Sequence, residues 1–238
     1  MELQEFKKAI IEKGKDINIE ISENQAETFF NYMNLLIEWN NNINLTSITE
    51  PNDVVLKHFI DSITIYKYVK DSKVIDVGTG AGFPGIPLKI LDEDMNITLL
   101  DSLNKRINFL NEVIRKLELE NINTVHGRVE EVARNKEYRE GFDVAVSRAV
   151  APLNVLLEYM IPMVKVGGKC ICMKGSNINE EIENSKNALK RLNCEIEEVE
   201  SFKLPGSDIK RNIVIVRKKE ETDKVFPRKA GTPAKKPL

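Results

Sequence analysis

The sequence predicts an α/β fold: a seven-stranded, mostly parallel sheet with helices on both faces and a helical cap at its N-terminus. From Lys73 onward, seven short apolar runs alternate with helix-forming segments, and this alternation is typical of a parallel sheet that is covered on both faces. Before Lys73 the chain shows only helical periodicity. The length of 238 residues fits one large domain, or one domain with an added subdomain.

The first 70 residues are predicted to form the helical cap. Residues 3–13 have an amphipathic pattern, and Gly14 is expected just past the end of that helix. Ser22-Glu-Asn-Gln25 has the form of a capping box that opens a second helix. A third amphipathic segment covers residues 52–69.

Residues 71–218 are predicted to form the sheet domain. Right-handed crossovers place the loops that follow the strands at one carboxyl edge, where ligands bind. The last two runs are close in sequence and are expected to form an antiparallel pair at the sheet edge. Helices are predicted at 104–117, 153–164 and 179–192. The predicted strands are 73–77, 97–100, 122–125, 142–146, 169–173, 195–199 and 213–216.

Charge and cysteine content indicate the surroundings of the protein. The three cysteines are an odd number without paired spacing, so we expect buried, reduced thiols. No apolar run approaches the roughly 20 residues that cross a bilayer, and the charged start does not resemble a signal peptide. We therefore expect a cytoplasmic protein. The net charge of −2 disfavours binding of nucleic acid by the whole surface but permits a local basic patch.

A glycine-rich loop follows the first predicted strand. Gly78, Gly80 and Gly82 permit a tight turn and a close approach of the backbone to a ligand. Asp76, just before them, is placed to receive an ammonium group, and exposed loop amides are expected to bind a carboxylate. These features predict a site for the nucleoside end of a cofactor, with S-adenosylmethionine as the best match. The fold is then a Rossmann-like class I S-adenosylmethionine-dependent methyltransferase.

The register of the glycines separates two classes of cofactor. Gly80-Ala-Gly-Phe-Pro-Gly85 satisfies the dinucleotide pattern G-x-G-x-x-G, but the first glycine after the strand is Gly78. Counted from there, Phe83 occupies the third glycine position, so the methyl donor fits better. The second strand ends at Asp101, about 20 residues after the glycines, where a carboxylate binds ribose hydroxyls. Alternatively, the glycines form only a tight turn and Asp101 only caps the next helix.

Further polar groups follow the third and fourth strands. Val129 and Glu130 lie where an adenine ring is expected, although Glu130 also suits a first helical turn. Arg148 could hold a cofactor carboxylate or a substrate phosphate, or form only a surface ion pair. His58 and His126 are far apart in sequence and show no ligand spacing, so no metal site is predicted.

Seven motifs of the sequence together resemble those of one known family. They are Asn44-Leu-Thr46, His58-x-x-Asp61-Ser62, Asp76-Val-Gly-Thr-Gly-Ala-Gly-Phe-Pro-Gly-Ile-Pro87, Asp101-Ser-x-x-Lys105-Arg106, Ser147-Arg-Ala149, Pro227-Arg-Lys-Ala-Gly-Thr-Pro233 and Pro237-Leu238. These motifs resemble those of the bacterial RsmG family, also called GidB, of small-subunit ribosomal RNA methyltransferases. The resemblance extends from about residue 20 to the C-terminus and is most specific in the extended glycine loop and in the tail.

The resemblance implies methylation of N7 of one guanosine in 16S ribosomal RNA by S-adenosylmethionine, in the cytoplasm. It implies cofactor contacts from Gly78, Phe83, Val129, Glu130 and Arg148. Guanine N7 has a free lone pair and no proton to lose, so the absence of a convincing general base agrees with this reaction. Arg148 is the candidate catalytic residue, because arginine suits the O6 and N7 acceptors of guanine.

The substrate is expected to be 16S ribosomal RNA or the 30S subunit, bound by a monomer without membrane or metal. Residues 219–238 form a basic tail that is expected to pack on or near the active site. We expect Lys57 and His58 on the cap, with Arg228 and Lys229 on the tail, to contact phosphates; alternatively, the tail is solvated and disordered. Three other functions remain open: methylation of a protein or small molecule, a non-catalytic nucleotide-binding assembly factor, and, more distantly, a dehydrogenase.

Overall fold

A seven-stranded sheet with the order β3-β2-β1-β4-β5-β7-β6 forms the centre of the structure. The computed structural model describes all residues 1–238. Strands β1 to β5 pair in parallel, whereas β7 is antiparallel to both β5 and β6. The predicted sheet and its antiparallel edge pair are therefore confirmed. The strands are β1 (Lys73–Val77), β2 (Asn96–Asp101), β3 (Ile122–His126), β4 (Phe142–Arg148), β5 (Val164–Lys174), β6 (Cys194–Lys203) and β7 (Lys210–Lys218).

Helices precede the sheet and connect its strands. The N-terminal helices are α1 (Leu3–Lys15), α2 (Glu23–Asn40), α3 (Pro51–Val54), α4 (Asp61–Ile63) and α5 (Tyr66–Val69), with a π-helical segment (Val55–Ile60) between α3 and α4. The later helices are α6 (Gly85–Leu91), α7 (Asn104–Lys116), α8 (Val129–Val132), α9 (Leu153–Met160), α10 (Ile178–Asn184), α11 (Lys186–Arg191) and α12 (Thr232–Lys235), with a 3-10 turn (Ile161–Met163) after α9.

Four helical predictions are corrected in detail. Helix α1 continues through Gly14 to Lys15, and the absence of a side chain at Gly14 lets Ile21 pack against this turn, since a Cβ there would lie 2.8 Å from Ile21 Cδ1. The segment 52–69 forms several short helical pieces. The helix predicted to reach residue 164 ends earlier, since Val164 already belongs to β5. The segment 179–192 is divided at Ser185, whose Oγ donates to the carbonyl oxygen of Glu181 (2.6 Å).

Two hydrophobic clusters cover the two faces of the sheet. Val74 belongs to one cluster and its neighbour Ile75 to the other, as expected for successive residues of a strand. The first cluster includes Phe6, Phe29 and Phe59 of the N-terminal helices. Because these helices share one continuous core with the sheet, the domain boundary near residue 70 stays a prediction.

The C-terminal tail is a packed part of the fold. Phe226 and Leu238 are buried in the second cluster. The guanidinium of Arg134 donates to the carbonyl oxygen of Pro227 (2.9 Å), and that of Arg139 donates to the carbonyl oxygen of Phe226 (2.8 Å). The backbone of the tail is therefore fixed by long-range contacts, and the alternative of a solvated, disordered tail does not describe it.

Candidate functional site

A cavity of about 750 Å³ lies at the carboxyl ends of the parallel strands. This is the edge at which the sequence predicts ligand binding, and the volume suits a small-molecule site. The tail closes one side of it. The cavity is lined by residues at the end of β1 and just after it (Val77, Gly78), at the end of β2, in the loop after it and on α7 (Leu100, Asp101, Ser102, Leu103, Arg106), after β3 and on α8 (Gly127, Arg128, Val129, Glu130), after β4 (Ala149, Val150, Ala151, Pro152), on α9 (Val155, Tyr159) and in the tail (Gly231, Ala234, Pro237).

Of the predicted loop glycines, Gly78 is the one that lines this cavity. Its φ is +68°, and a Cβ at this position would lie 2.6 Å from Val150 Cγ2. The amides of Gly78 and Thr79 donate to the carbonyl oxygen of Leu100 (2.9 and 3.1 Å), and the amide of Gly80 donates to Asp101 Oδ2 (2.9 Å). These amides are therefore used inside the protein, which corrects the expectation that they are free to bind a carboxylate.

Asp76 lies beneath the glycine loop and does not line the cavity. Its Oδ2 accepts from Thr79 Oγ1 (2.6 Å) and from the amide of Gly85 (2.8 Å), whereas its Oδ1 is buried without a partner. Burial raises the pKa of Asp76 to about 7, against these two donors, which lower it. The observed role of Asp76 is to shape the loop, and its contact with an ammonium group stays a prediction.

Asp101 ends β2 and lines the cavity, as the sequence predicts. Its Oδ1 accepts from the amide of Leu103 (2.9 Å), and its Oδ2 accepts from Gly80 and from Arg106 Nη1 (3.2 Å). Arg106 also lines the cavity, and its Nε is buried without a partner. The motif Asp101-Ser-x-x-Lys105-Arg106 contains Arg106 but does not indicate its role; the place of Arg106 in the first turn after Asp101 was the available signal.

Val129 and Glu130 also line the cavity. Glu130 lies in the first turn of α8, and its Oε1 accepts from the amide of Gly231 in the tail (2.8 Å). The tail residues Ala234 and Pro237 reach the same cavity. No local pattern in the sequence indicates these tail contacts.

Phe83 is buried behind the loop and joins it to the N-terminal helices. Its ring stacks on His58 with a centroid distance of 4.4 Å, and the guanidinium of Arg148 lies 4.9 Å from its centre. Arg148 Nη2 lies 3.2 Å from His58 Nδ1. A neutral ring that accepts at Nδ1 carries its proton on Nε2, which lies 2.8 Å from Thr46 Oγ1. Burial, and then the charge of Arg148, lower the pKa of His58 to about 3.

Arg148 is held by a largely buried ion pair. Its Nη1 donates to Asp61 Oδ2 (3.2 Å) and to the carbonyl oxygen of Lys57 (2.9 Å). Arg211 Nε donates to both oxygens of Asp61 (3.0 and 3.1 Å). Arg148 could be recognised as a candidate from the sequence, but the roles of Asp61 and Arg211 could not. These residues lie on the cap and on β7, which only the fold brings next to β4.

Arg148 faces a second cavity, of about 650 Å³, and not the first one. The loop 149–152 after β4 lines both cavities and forms a shared wall between them. The other residues around the second cavity come from the cap (Ile48, Lys57, His58, Asp61), from β4 and the end of β5 (Arg148, Met173, Lys174, Gly175) and from α10 and β7 (Glu181, Arg211).

The four residues predicted to bind RNA occupy two separate places. Lys57 and His58 border the second cavity, where Lys57 also pairs with Asp53 (2.9 Å). Arg228 and Lys229 lie on the tail; Lys229 is exposed, whereas the guanidinium of Arg228 binds the fully buried carboxylate of Glu158 (2.6 Å). Their contacts with RNA stay predictions.

Comparison with known proteins assigns the family. The family model described as "GidB: rRNA small subunit methyltransferase G" matches residues 25–214. The chain belongs to this family. It is 51% identical to the "Ribosomal RNA small subunit methyltransferase G" of Acetivibrio thermocellus, across 98% of this chain and 97% of the relative. The family predicted from the motifs is therefore confirmed, as is an rRNA small-subunit methyltransferase activity.

Solved structures agree with the fold of this family. The ribosomal protein L11 methylase of Lactobacillus delbrueckii subsp. bulgaricus superimposes with a TM-score of 0.52 at 16% identity, covering 69% of this chain and 79% of that one. M. jannaschii TYW2 in complex with AdoMet gives a TM-score of 0.51 at 16% identity, covering 66% and 76%. The predicted class I methyltransferase fold is thus confirmed.

The residues gather no group of three or more His, Cys, Asp or Glu side chains that could hold a metal ion. None of the helices is both long and apolar enough to span a bilayer.

Proposed function

We propose that this chain transfers a methyl group from S-adenosylmethionine to N7 of one guanosine in the 16S RNA of the small ribosomal subunit. Membership of the rRNA small-subunit methyltransferase family supports the class of reaction and substrate. The single observation that carries the finer proposal is the pair of adjoining cavities with the loop 149–152 as their shared wall. One cavity suits the cofactor, and the other suits the base that receives the methyl group.

The residues of the first cavity fit S-adenosylmethionine. Asp101 presents a carboxylate to the cavity, which suits ribose hydroxyl groups. Leu103, Val129 and Val155 supply apolar walls for an adenine ring. Gly78 keeps the backbone free of a side chain that would collide with Val150. When bound, the cofactor supplies an activated methyl group.

The second cavity fits a reaction that needs positioning more than proton transfer. Guanine N7 carries a lone pair and no proton, so no general base is required. The titratable ring of His58 is neutral and engaged by Thr46 and Arg148. Holding two reactants in line can supply roughly 7–11 kcal/mol of a barrier. Arg148, which is fixed by Asp61, is placed to donate to O6 of the base.

The RNA outside the target base needs further contacts. Lys229 is exposed on the tail, and Lys57 lies at the rim of the second cavity with part of its side chain exposed. We assign to these two lysines the phosphate contacts, with Arg228 and His58 supporting the surfaces that carry them. We also propose that the protein acts as a monomer in the cytoplasm.

Methyl transfer from tritiated S-adenosylmethionine to 16S RNA and to 30S subunits tests the proposal. Label in the RNA of either substrate supports it. Cofactor binding without label in any RNA would instead favour a non-catalytic assembly factor. Label in ribosomal protein would favour a protein methyltransferase, which is one of the alternatives that the sequence leaves open.

A further inference from the structure

Two carboxylates line the second cavity, and they differ in how they are used. Both oxygens of Asp61 accept from arginine, and its side chain is only 3% exposed. Glu181 is 31% exposed, and its Oε2 accepts from the amide of Leu153 (2.8 Å) and pairs with Lys174 Nζ (2.7 Å). Its Oε1 accepts no hydrogen bond from the protein. Glu181 is therefore the carboxylate in this cavity with an oxygen available to a ligand.

The position of Glu181 is fixed from two sides. Leu153 begins α9, and its amide holds Oε2 of Glu181 directly. Lys174 ends β5, and its ammonium also donates to the carbonyl oxygen of Ala151 (2.6 Å). Ala151 belongs to the wall that both cavities share. The carboxylate is thus held in place relative to the point at which methyl transfer would occur.

We propose that Glu181 is a specificity-determining residue that reads the Watson–Crick edge of the target guanine. This inference rests on the proposed function, because it concerns the base in the second cavity. Guanine presents two adjacent donors, N1–H and N2–H, and the free Oε1 of Glu181 can accept from both. Adenine has an acceptor at N1 and no amino group at C2.

The charge of Glu181 also suits the reaction. Guanine becomes positively charged as N7 accepts the methyl group. A carboxylate that is hydrogen-bonded to the base stabilises this charge more in the transition state than in the ground state. Asp61 cannot take this role, because Arg148 and Arg211 already occupy its oxygens.

Nucleotide binding tests the inference without turnover. The protein saturated with S-adenosylhomocysteine is titrated with guanosine 5′-monophosphate and with inosine 5′-monophosphate, which lacks the C2 amino group. We expect the wild type to prefer the guanosine nucleotide about 10- to 100-fold, as one hydrogen bond to a charged group allows. Glu181→Gln should abolish most of this preference, and Glu180→Gln, an exposed neighbour on the same helix, should keep it.

The same variants are then compared in methyl transfer to RNA carrying guanosine or inosine at the position mapped for the wild type. Glu181→Gln should lower kcat with guanosine and reduce the discrimination against inosine. Thermal melting identifies loss of fold, in which case Glu181→Ala is the second variant. Equal or undetectable binding of the two nucleotides by the wild type, or an unchanged preference in folded Glu181→Gln, overturns the inference. A preference that depends on Glu181 in a protein that methylates no RNA would overturn the proposed function alone.

Discussion

Replacing Gly78 by alanine tests how the glycine loop makes room for the cofactor. Gly78 has a φ of +68°, and Gly167, at the opposite edge of the sheet beside Asp143, has a φ of +79°. An alanine in this left-handed region costs about 1–2 kcal/mol. Gly167→Ala should therefore lower the free energy of unfolding by that amount, and Gly78→Ala by at least that amount, which denaturation in urea measures.

Only Gly78→Ala should also impair cofactor binding. Its Cβ would lie 2.6 Å from Val150 Cγ2, whereas no atom lies within 4 Å of a Cβ at Gly167. Ordinary carbon contacts are about 3.5–4.0 Å long, so Val150 or the loop must move by about 1 Å at the cavity wall. We expect at least a tenfold weaker affinity for S-adenosylmethionine by calorimetry. Wild-type affinity in Gly78→Ala, or an equal loss in Gly167→Ala, would refute the reasoning.

Three further predictions concern the cap and the tail. Asp61→Ala should destabilise the fold by about 3–5 kcal/mol, because it leaves Arg148 and Arg211 without their carboxylate partner. The control Asp53→Ala removes a more exposed ion pair and should cost less than about 1 kcal/mol. Equal midpoints of urea denaturation for the two variants would contradict this prediction. The pKa of His58 is lowered to about 3 in the folded protein. Between about pH 6.5 and pH 3 the ring is therefore protonated in the unfolded chain but neutral in the folded chain. The free energy of unfolding should thus fall as the pH falls through this range. Between pH 7 and pH 5 the wild type should lose about 2 kcal/mol more than His58→Asn, and parallel losses would count against a neutral buried ring. Lys229→Ala should lower the slope of log affinity for RNA against log salt concentration by about 1 without changing stability. Arg228→Ala should mainly destabilise the protein. An unchanged slope in Lys229→Ala would show that Lys229 does not contact RNA phosphates.

The fold could be predicted from the sequence because each strand and helix depends on residues that are close together in the chain. Apolar runs that alternate with helical segments predicted strands that are buried on both faces. Val74 and Ile75 indeed belong to the two hydrophobic clusters on opposite faces of the sheet. The register of the glycines favoured a methyl donor over a dinucleotide. The position of Asp101 at the end of β2 was enough to place it in the cavity. Each of these features depends on residues close together in the chain.

The contacts that the sequence did not reveal join distant segments. Arg148 was predicted to bind the cofactor or the substrate. Its partner Asp61 is 87 residues away in the chain, and the ion pair between them holds Arg148 at the second cavity. The tail looked basic because lysine and arginine supply six of its 20 residues, yet Phe226 and Leu238 complete a core that other elements build. Glu181 lies in an ordinary charged helix, and only the fold turns it toward a cavity.

The most direct test of the central claim is identification of the methylated nucleoside. The 16S RNA from the tritium-transfer reaction is digested to nucleosides and analysed by mass spectrometry, and the position is mapped by cleavage of the RNA at 7-methylguanosine. The account predicts one new 7-methylguanosine at a single position, formed by the wild type and formed more slowly by Gly78→Ala when S-adenosylmethionine is below saturation. A methyl group on another atom of guanine, on another base, or on a ribose would contradict the geometry proposed for the two cavities.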